Sequence, residues 1–156
     1  MEIFINKRFN GPPNSGNGGY VAGLIAKEIG KCCEVKLVAP PPLEKKLLLK
    51  KSNESYELYD GETLVCVANT TTIDNDPCEF VSFSDALIGS KNGLSKFEPI
   101  HAMPDCFVCG PNRKEGDGLR LFTGPQDLDS KPSEDNLVST TWIPDKGLSS
   151  DGKHIN

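Results

Sequence analysis

The period of the apolar positions changes along the chain. Ile3, Phe4, Ile5 and Phe9 stand among polar neighbours and read as a strand over residues 2–9, with imperfect alternation. From about Tyr20 to Ile29 the apolar residues Tyr20, Val21, Ala22, Leu24, Ile25, Ala26 and Ile29 lie most of the way round a helix. Only Lys27 and Glu28 ask for water, so most of this helix is expected to be wrapped. Ser15 or Asn17 can cap its start and Gly30 can close it. Four further runs read as strands: Cys33–Ala39, Lys46–Lys51, Ser55–Tyr59 and Thr63–Ile73. Asp60-Gly61 is a hairpin signal between the last two, and Pro40–Pro42 break the first at an edge or bend. One buried helix followed by antiparallel strands predicts an α+β design in which a sheet curls around the helix.

The pattern weakens from about Asp74 to Pro104 and reads as a linker. Within it Ser84-Asp85 can cap a short helix through Ile88, which Gly89 to Gly93 are expected to end. Cys106 to Gly118 is rich in turn formers. Leu119–Thr123 and Asn136–Ile143 are strand candidates on either side of a polar stretch expected to be mobile, and Pro144 to Asn156 is again rich in Gly and Asp. The order strand, proline, Gly/Ser/Asp loop occurs twice, at Phe9…Pro12…Gly16 and at Trp142…Pro144…Gly152. Either the second half repeats the first and stops where its helix should begin, or residues 144–156 are a frayed tail.

A length of 156 residues suits one domain, or one domain and part of another. With 37% apolar and 25% charged residues the composition is that of a soluble globular protein. The net charge of −5 argues against a nucleic-acid partner, which calls for a basic face. No run is long and apolar enough to span a membrane, and the first residues lack the order that export requires. The six cysteines, Cys32, Cys33, Cys66, Cys78, Cys106 and Cys109, are therefore expected reduced in a cytoplasm.

Chemistry concentrates in the loop Asn10–Tyr20, whose Gly11, Gly16, Gly18 and Gly19 lead straight into the helix. A helix start presents unpaired N–H groups and the positive end of its dipole, suited to a carbonyl oxygen, a carboxylate or a phosphate. Asn17, Gly18 and Gly19 are the candidate catalytic residues. The N–H groups of Gly18, Gly19 or Tyr20 would act as donors to a carbonyl, with the Asn17 side chain adding one more. Asn14, Ser15 and Tyr20 are the candidate substrate contacts. The competing reading is that the glycines let helix and sheet approach closely while Asn17 only caps. Neutral Asn cannot serve as a general base.

Other residues have plainer readings. Cys106 and Cys109, with His101 five residues before, have the spacing of half a zinc site, but no second close pair follows and His154 stands alone. A redox pair lacks a thioredoxin-like context, so small buried thiols in a turn are favoured, and no metal is expected. Asp105 and Asp117 read as turn residues rather than site carboxylates. Trp142 reads as an anchor of core or of an inter-unit contact. Lys45, Lys46, Lys50 and Lys51 could attract phosphates, or simply guard a solvated strand edge.

Three segments, Gly-Asn-Gly-Gly-Tyr-Val-Ala-Gly-Leu-Ile-Ala (16–26), Glu-Val-Lys-Leu-Val-Ala-Pro-Pro-Pro-Leu (34–43) and Leu-Tyr-Asp-Gly-Glu-Thr-Leu-Val-Cys-Val-Ala (58–68), resemble the hotdog fold. They are similar to the N-terminal half of double-hotdog acyl-CoA thioesterase-like proteins. The run Cys106-Phe-Val-Cys-Gly to Gly118-Leu-Arg-Leu-Phe122 resembles the opening of another hotdog unit in such proteins. The resemblance covers most of residues 8–73 and 104–144. It implies a hotdog-like unit over 1–80, a linker over 81–104 and the start of an incomplete second unit over 105–156. The implied activity is binding, with hydrolysis, of acyl thioesters of coenzyme A or a carrier protein. The carbonyl is polarised at the central helix start, and a carboxylate directs water. The alternative is a non-catalytic acyl-binding or assembly module. A further possibility is that residues beyond position 156 supply the missing chemistry. No cofactor is implied. An unpaired sheet edge points to a homodimer. The sequence departs from the family pattern because the loop before the helix holds Asn14 and Asn17 but no Asp or Glu.

Overall fold

The computed structural model describes residues 1–74, 80–129, 137–145 and 148. The chain divides into two compact units, Met1–Asp76 and Pro77–Asn156.

The first unit is α+β. Strands β1 (Glu2–Phe4), β2 (Cys33–Leu37), β3 (Lys46–Ser52), β4 (Ser55–Asp60) and β5 (Thr63–Thr70) form one five-stranded antiparallel sheet of order β1-β3-β4-β5-β2. The two-residue turns Asn53-Glu54 and Gly61-Glu62 connect β3 to β4 and β4 to β5. Asn53 and Gly61 take the positive φ such turns demand, at 48° and 61°. Along β3 the alternation is literal: Leu47 and Leu49 are buried, whereas Lys46, Leu48 and Lys50 face outward. Leu49 pairs with Leu58, which pairs in turn with Cys66, so one face of the sheet is a continuous apolar ladder. Helix α1 (Gly18–Ile29) lies against it through Val21 and Ile25, both fully buried among Ile3, Ile5, Leu47, Leu58, Val65 and Ala68. Each such side chain contributes about 1.5–3 kcal/mol on leaving water.

The helix begins and ends where the sequence signals it. Asn17 caps the start and Gly30, at φ 72°, closes the end with its N–H on the Ala26 carbonyl at 2.8 Å. Most of the helix is buried or half-buried, and the exposed residues are a stripe of Gly19, Gly23 and Lys27 together with Glu28. The first strand is also shorter than its apolar run. Asn6 caps a 3-10 turn over Lys7–Phe9, accepting the Arg8 N–H at 2.9 Å, which ends the extended backbone. Strand β2 stops at Leu37, before the prolines, and is an edge; β5 stops at Thr70. Lys46 pairs with Phe4 of β1 and so guards no free edge on that side, whereas Lys50 and Lys51 lie beyond the residues paired with β1. Lys45 pairs with Asp60 and Lys46 with Glu2, each at 3.0 Å, and Lys50 lies 4.8 Å from the Tyr59 ring centre.

The second unit corrects the sequence reading most. Glycines 89 and 93 do not end a short helix. They lie inside α2 (Phe83–Phe97), a 15-residue helix capped by Ser82. The buried face of α2 is Ala86, Gly89 and Gly93, packed on a short hairpin of β6 (Gly124–Pro125) and β7 (Val138–Ser139). A Cβ at Gly93 would stand 2.4 Å from the Phe122 carbonyl oxygen, and one at Gly89 would stand 2.7 Å from that of Ser139. Close backbone approach thus outweighs the roughly 1 kcal/mol that Gly costs in a helix. Polar side chains fix the contact: the Ser90 hydroxyl accepts the Thr141 N–H at 2.7 Å, and the Asn92 amide donates to the Pro125 carbonyl at 3.0 Å. The large apolar residues of α2, Phe83, Leu87, Ile88 and Phe97, are exposed.

Neither strand candidate of this unit has its expected extent. Leu119–Thr123 is not a strand, although Leu119 and Leu121 donate N–H groups to the Phe107 and Val108 carbonyls, each at 2.9 Å. Of 136–143 only Val138 and Ser139 are paired, and Asn136 lies outside the described residues. Trp142 is 41% exposed. Cys78, His154, most of the polar stretch and most of 144–156 lie outside the described residues.

The glycine contacts predict opposite effects in the two helices. Gly93→Ala should destabilise the second unit by about 1–3 kcal/mol or more through overpacking. Gly23→Ala, with nothing within 4 Å of the new Cβ, should stabilise the first unit by about 0.5–1 kcal/mol. Urea unfolding checks both, with Trp142 fluorescence reporting the second unit and tyrosine absorbance the first. A second prediction concerns Cys66, whose thiol burial pushes up from 9.0 to about 11. The folded core holds the neutral form. Its contribution is therefore intact below pH 9 and lost as the pH rises to 11, by about 2–3 kcal/mol. The stability gap between the native chain and Cys66→Ala, followed by circular dichroism in urea, should narrow over that interval.

Candidate functional site

The loop before α1 is folded back on itself and tied to the first unit at both ends. The Gly11 N–H donates to the Ser15 carbonyl at 2.9 Å and the Ser15 N–H to that of Pro12 at 3.1 Å. The Gly16 N–H reaches the Pro41 carbonyl at 2.8 Å, and the Asn17 N–H reaches that of Phe9 at 2.8 Å. Pairing of Ser15 with Pro42 completes the link, so the prolines after β2 form one wall of the loop. Gly16 is required by space: a Cβ there would lie 3.0 Å from Val21 Cγ2 and 3.1 Å from Ile5 Cγ2.

This bonding decides which donors remain. The Asn17 Oδ1 accepts the Tyr20 N–H at 3.1 Å, and its carbonyl accepts that of Val21 at 2.9 Å. The Tyr20 amide is therefore already used, and Asn17 meets the helix as an acceptor rather than as an added donor. Among the described residues, no hydrogen-bond partner faces the N–H groups of Gly18 and Gly19. Those two amides are the free donors at the positive end of α1, and its first turn holds no acidic residue.

The flanking candidates separate by exposure. Asn14 is exposed and takes φ 61°, a turn conformation that Asn tolerates well. Ser15 is only 4% exposed, with its hydroxyl 3.5 Å from the Gly16 carbonyl, so it faces inward, away from any ligand. Tyr20 is brought to the helix start by a stack that sequence reading missed. Its ring lies 3.8 Å from that of Phe9, with 9° between the planes. Arg8 stands 5.8 Å from the Phe9 ring centre. Burial raises the Tyr20 phenol above its ordinary value, and the positive charge of Arg8 opposes the rise. The available signal was an aromatic on each side of a glycine loop.

No protein family, curated protein or solved structure matches this chain. No described helix is long and apolar enough to cross a membrane.

The remaining carboxylate, thiol and histidine candidates lie in the second unit. The Asp105 carboxylate accepts from the Asn112 amide at 3.1 Å, and that of Asp117 pairs with Arg113 at 3.1 Å. Both hold turns. Arg113 also donates to the Asp105 carbonyl at 2.9 Å, so one guanidinium ties Asp105 to Asp117. Cys106 is buried and Cys109 half-buried. Among the described residues no group of three potential metal ligands exists. The His101 Nδ1 accepts the Met103 N–H at 3.1 Å, which places the proton of the neutral ring on Nε2, away from metal duty.

Removing the cap tests the loop. Asn17→Ala should lower the stability of the first unit by about 1 kcal/mol, while Asn17→Asp should keep it, since either side chain accepts the Tyr20 N–H. Urea unfolding followed by tyrosine absorbance measures both.

Proposed function

We propose that this chain is a cytoplasmic hotdog-type, thioesterase-like protein whose first unit binds an acyl thioester. The observation that carries the reading is the pair of free N–H groups of Gly18 and Gly19, held at the start of a helix laid on an antiparallel sheet. That arrangement of helix and sheet is what the resemblance implies. Two neighbouring amide donors suit the carbonyl oxygen of a thioester and would hold it more strongly as it gains charge during attack by water. In this reading, Asn17 fixes the helix start by capping it, and Tyr20, stacked on Phe9, flanks the bound group.

Binding without hydrolysis is the second reading, and a specific feature favours it. Neither the loop 10–17 nor the first turn of α1 carries an acid that could direct water. In either case a homodimer follows from the exposed edge strand β2, with Leu37 42% exposed, and from the uncovered side of α1. A strictly monomeric species by sedimentation at high concentration counts against that part.

The decisive substitution is Gly18→Pro. Proline is tolerated at the first helical position and removes the N–H, and Asn17 already has the extended backbone that a following proline needs. With acyl-CoA substrates of varied chain length, hydrolysis read as free thiol should fall about 10²–10³-fold in kcat in this variant. Saturable binding without thiol release, lost in Gly18→Pro, supports the binding module. Neither binding nor release at any chain length overturns both readings.

A further inference from the structure

The second unit carries a thiol pair that the reading above leaves unused. Cys106 and Cys109 belong to one tight turn, closed by the Gly110 N–H on the Cys106 carbonyl at 2.9 Å. The turn is held from outside as well: the Cys106 N–H donates to Met103, Asn112 bonds back to Pro104, and the Arg113 guanidinium lies across its start. The Cys109 thiol is hydrogen-bonded to that of Cys106. Residues three apart on such a turn bring their Cβ atoms to about 5–6 Å. A disulfide needs roughly 3.5–4.5 Å, so the turn has only about 1–2 Å to tighten.

The two sulfurs differ in access. Cys106 is 3% exposed. Cys109 is half-buried and lines an open groove of about 350 Å³ with Phe97, Ile100, His101, Leu121 and Phe122. A reagent entering the groove meets Cys109 first, with Cys106 directly behind it. Metal chemistry is not what this pair is arranged for, because the described residues supply no third ligand.

We propose that Cys106 and Cys109 are a reversible oxidation site, forming an intrachain disulfide by exchange with a low-molecular-weight disulfide admitted through the groove. In the first step the Cys109 thiolate attacks one sulfur of the incoming disulfide. That S–S bond breaks, one thiolate leaves and takes up a proton, and Cys109 carries a mixed disulfide. Cys106 then gives up its proton and attacks the Cys109 sulfur, expelling the second thiol. Two protein thiols are oxidised and one small disulfide is reduced to two thiols. The second step is intramolecular and fast, because the turn already holds the sulfurs in contact. The first is slow. Burial and the bond to Cys106 push the Cys109 thiol up to about 11, so little of it is thiolate at neutral pH.

The test equilibrates the full, reduced chain with oxidised glutathione and maps cysteine states by peptide mass spectrometry after acid quench and alkylation. The expected product is a Cys106–Cys109 disulfide with no stable glutathione adduct on either residue. Cys106→Ser should stop at a glutathione adduct on Cys109. Cys109→Ser should form its adduct on Cys106 at least about tenfold more slowly, because that sulfur is buried. Three results overturn the proposal: both thiols still free once the mixture has reached equilibrium, disulfides pairing either residue elsewhere, or Cys106 reacting first. The first two can be read on the unsubstituted chain alone, so a variant that misfolds does not blunt the test.

Discussion

The first unit depends on the contact of Val21 and Ile25 with the apolar ladder of the sheet. Two side chains, one helical turn apart, meet Leu47, Leu49, Leu58, Val65, Cys66 and Ala68 from three central strands, and Ile3 and Ile5 from the chain's beginning. Everything that shapes the candidate site is subordinate to that seating. Gly16 is glycine because Val21 and Ile5 occupy the space where a side chain would stand. The prolines after β2 turn where they do because Pro41 closes the same layer and offers its carbonyl to Gly16. The free donors at Gly18 and Gly19 are thus a by-product of packing as much as a feature of the loop.

The second unit is organised on a different basis. Its helix approaches the hairpin backbone through Ala86, Gly89 and Gly93, and hydrogen bonds from Ser90 and Asn92 set the register. Among the described residues little apolar surface is buried in that contact, and Phe83, Leu87, Ile88 and Phe97 of α2 are exposed. Around Cys106 the order comes from one guanidinium and a set of turn bonds. Such polar scaffolding fixes geometry closely in return for modest net stability.

This contrast explains what the sequence makes legible. In the first unit the period-two alternation of Leu47 and Leu49, the turn residues Asp60-Gly61 and the cap pair Asn17 and Gly30 are local signals that tertiary structure agrees with. Boundaries were less visible: the apolar run 2–9 contains a 3-10 turn because Asn6 bonds its own backbone. In α2 the local signals mislead. Gly89 and Gly93 read as breakers, since their value lies in carbonyl groups some 30 to 50 residues away that no window reveals. The site was legible to the extent that glycines and Asn17 precede a helix. Which amides are free depends on where the Asn17 oxygen points, and that is a matter of geometry. The Cys-x-x-Cys spacing was visible as well, but the inequality of its two sulfurs was not.

The strand order of the first unit also sets a sequence of events. Strands β3, β4 and β5 are joined by two-residue turns and lose little chain entropy on pairing, whereas β1 reaches β3, and β2 reaches β5, between residues 29 to 46 positions apart. The meander therefore assembles first and the two edges dock later. The start of α1 leans on both late pieces at once, through Phe9 beyond β1 and Pro41 beyond β2. The donors of Gly18 and Gly19 come into register only when the last edges close, and local fluctuations that loosen either edge disperse them first. Amide exchange of Gly16 and Asn17, whose N–H groups bridge to those edges, reports that opening directly.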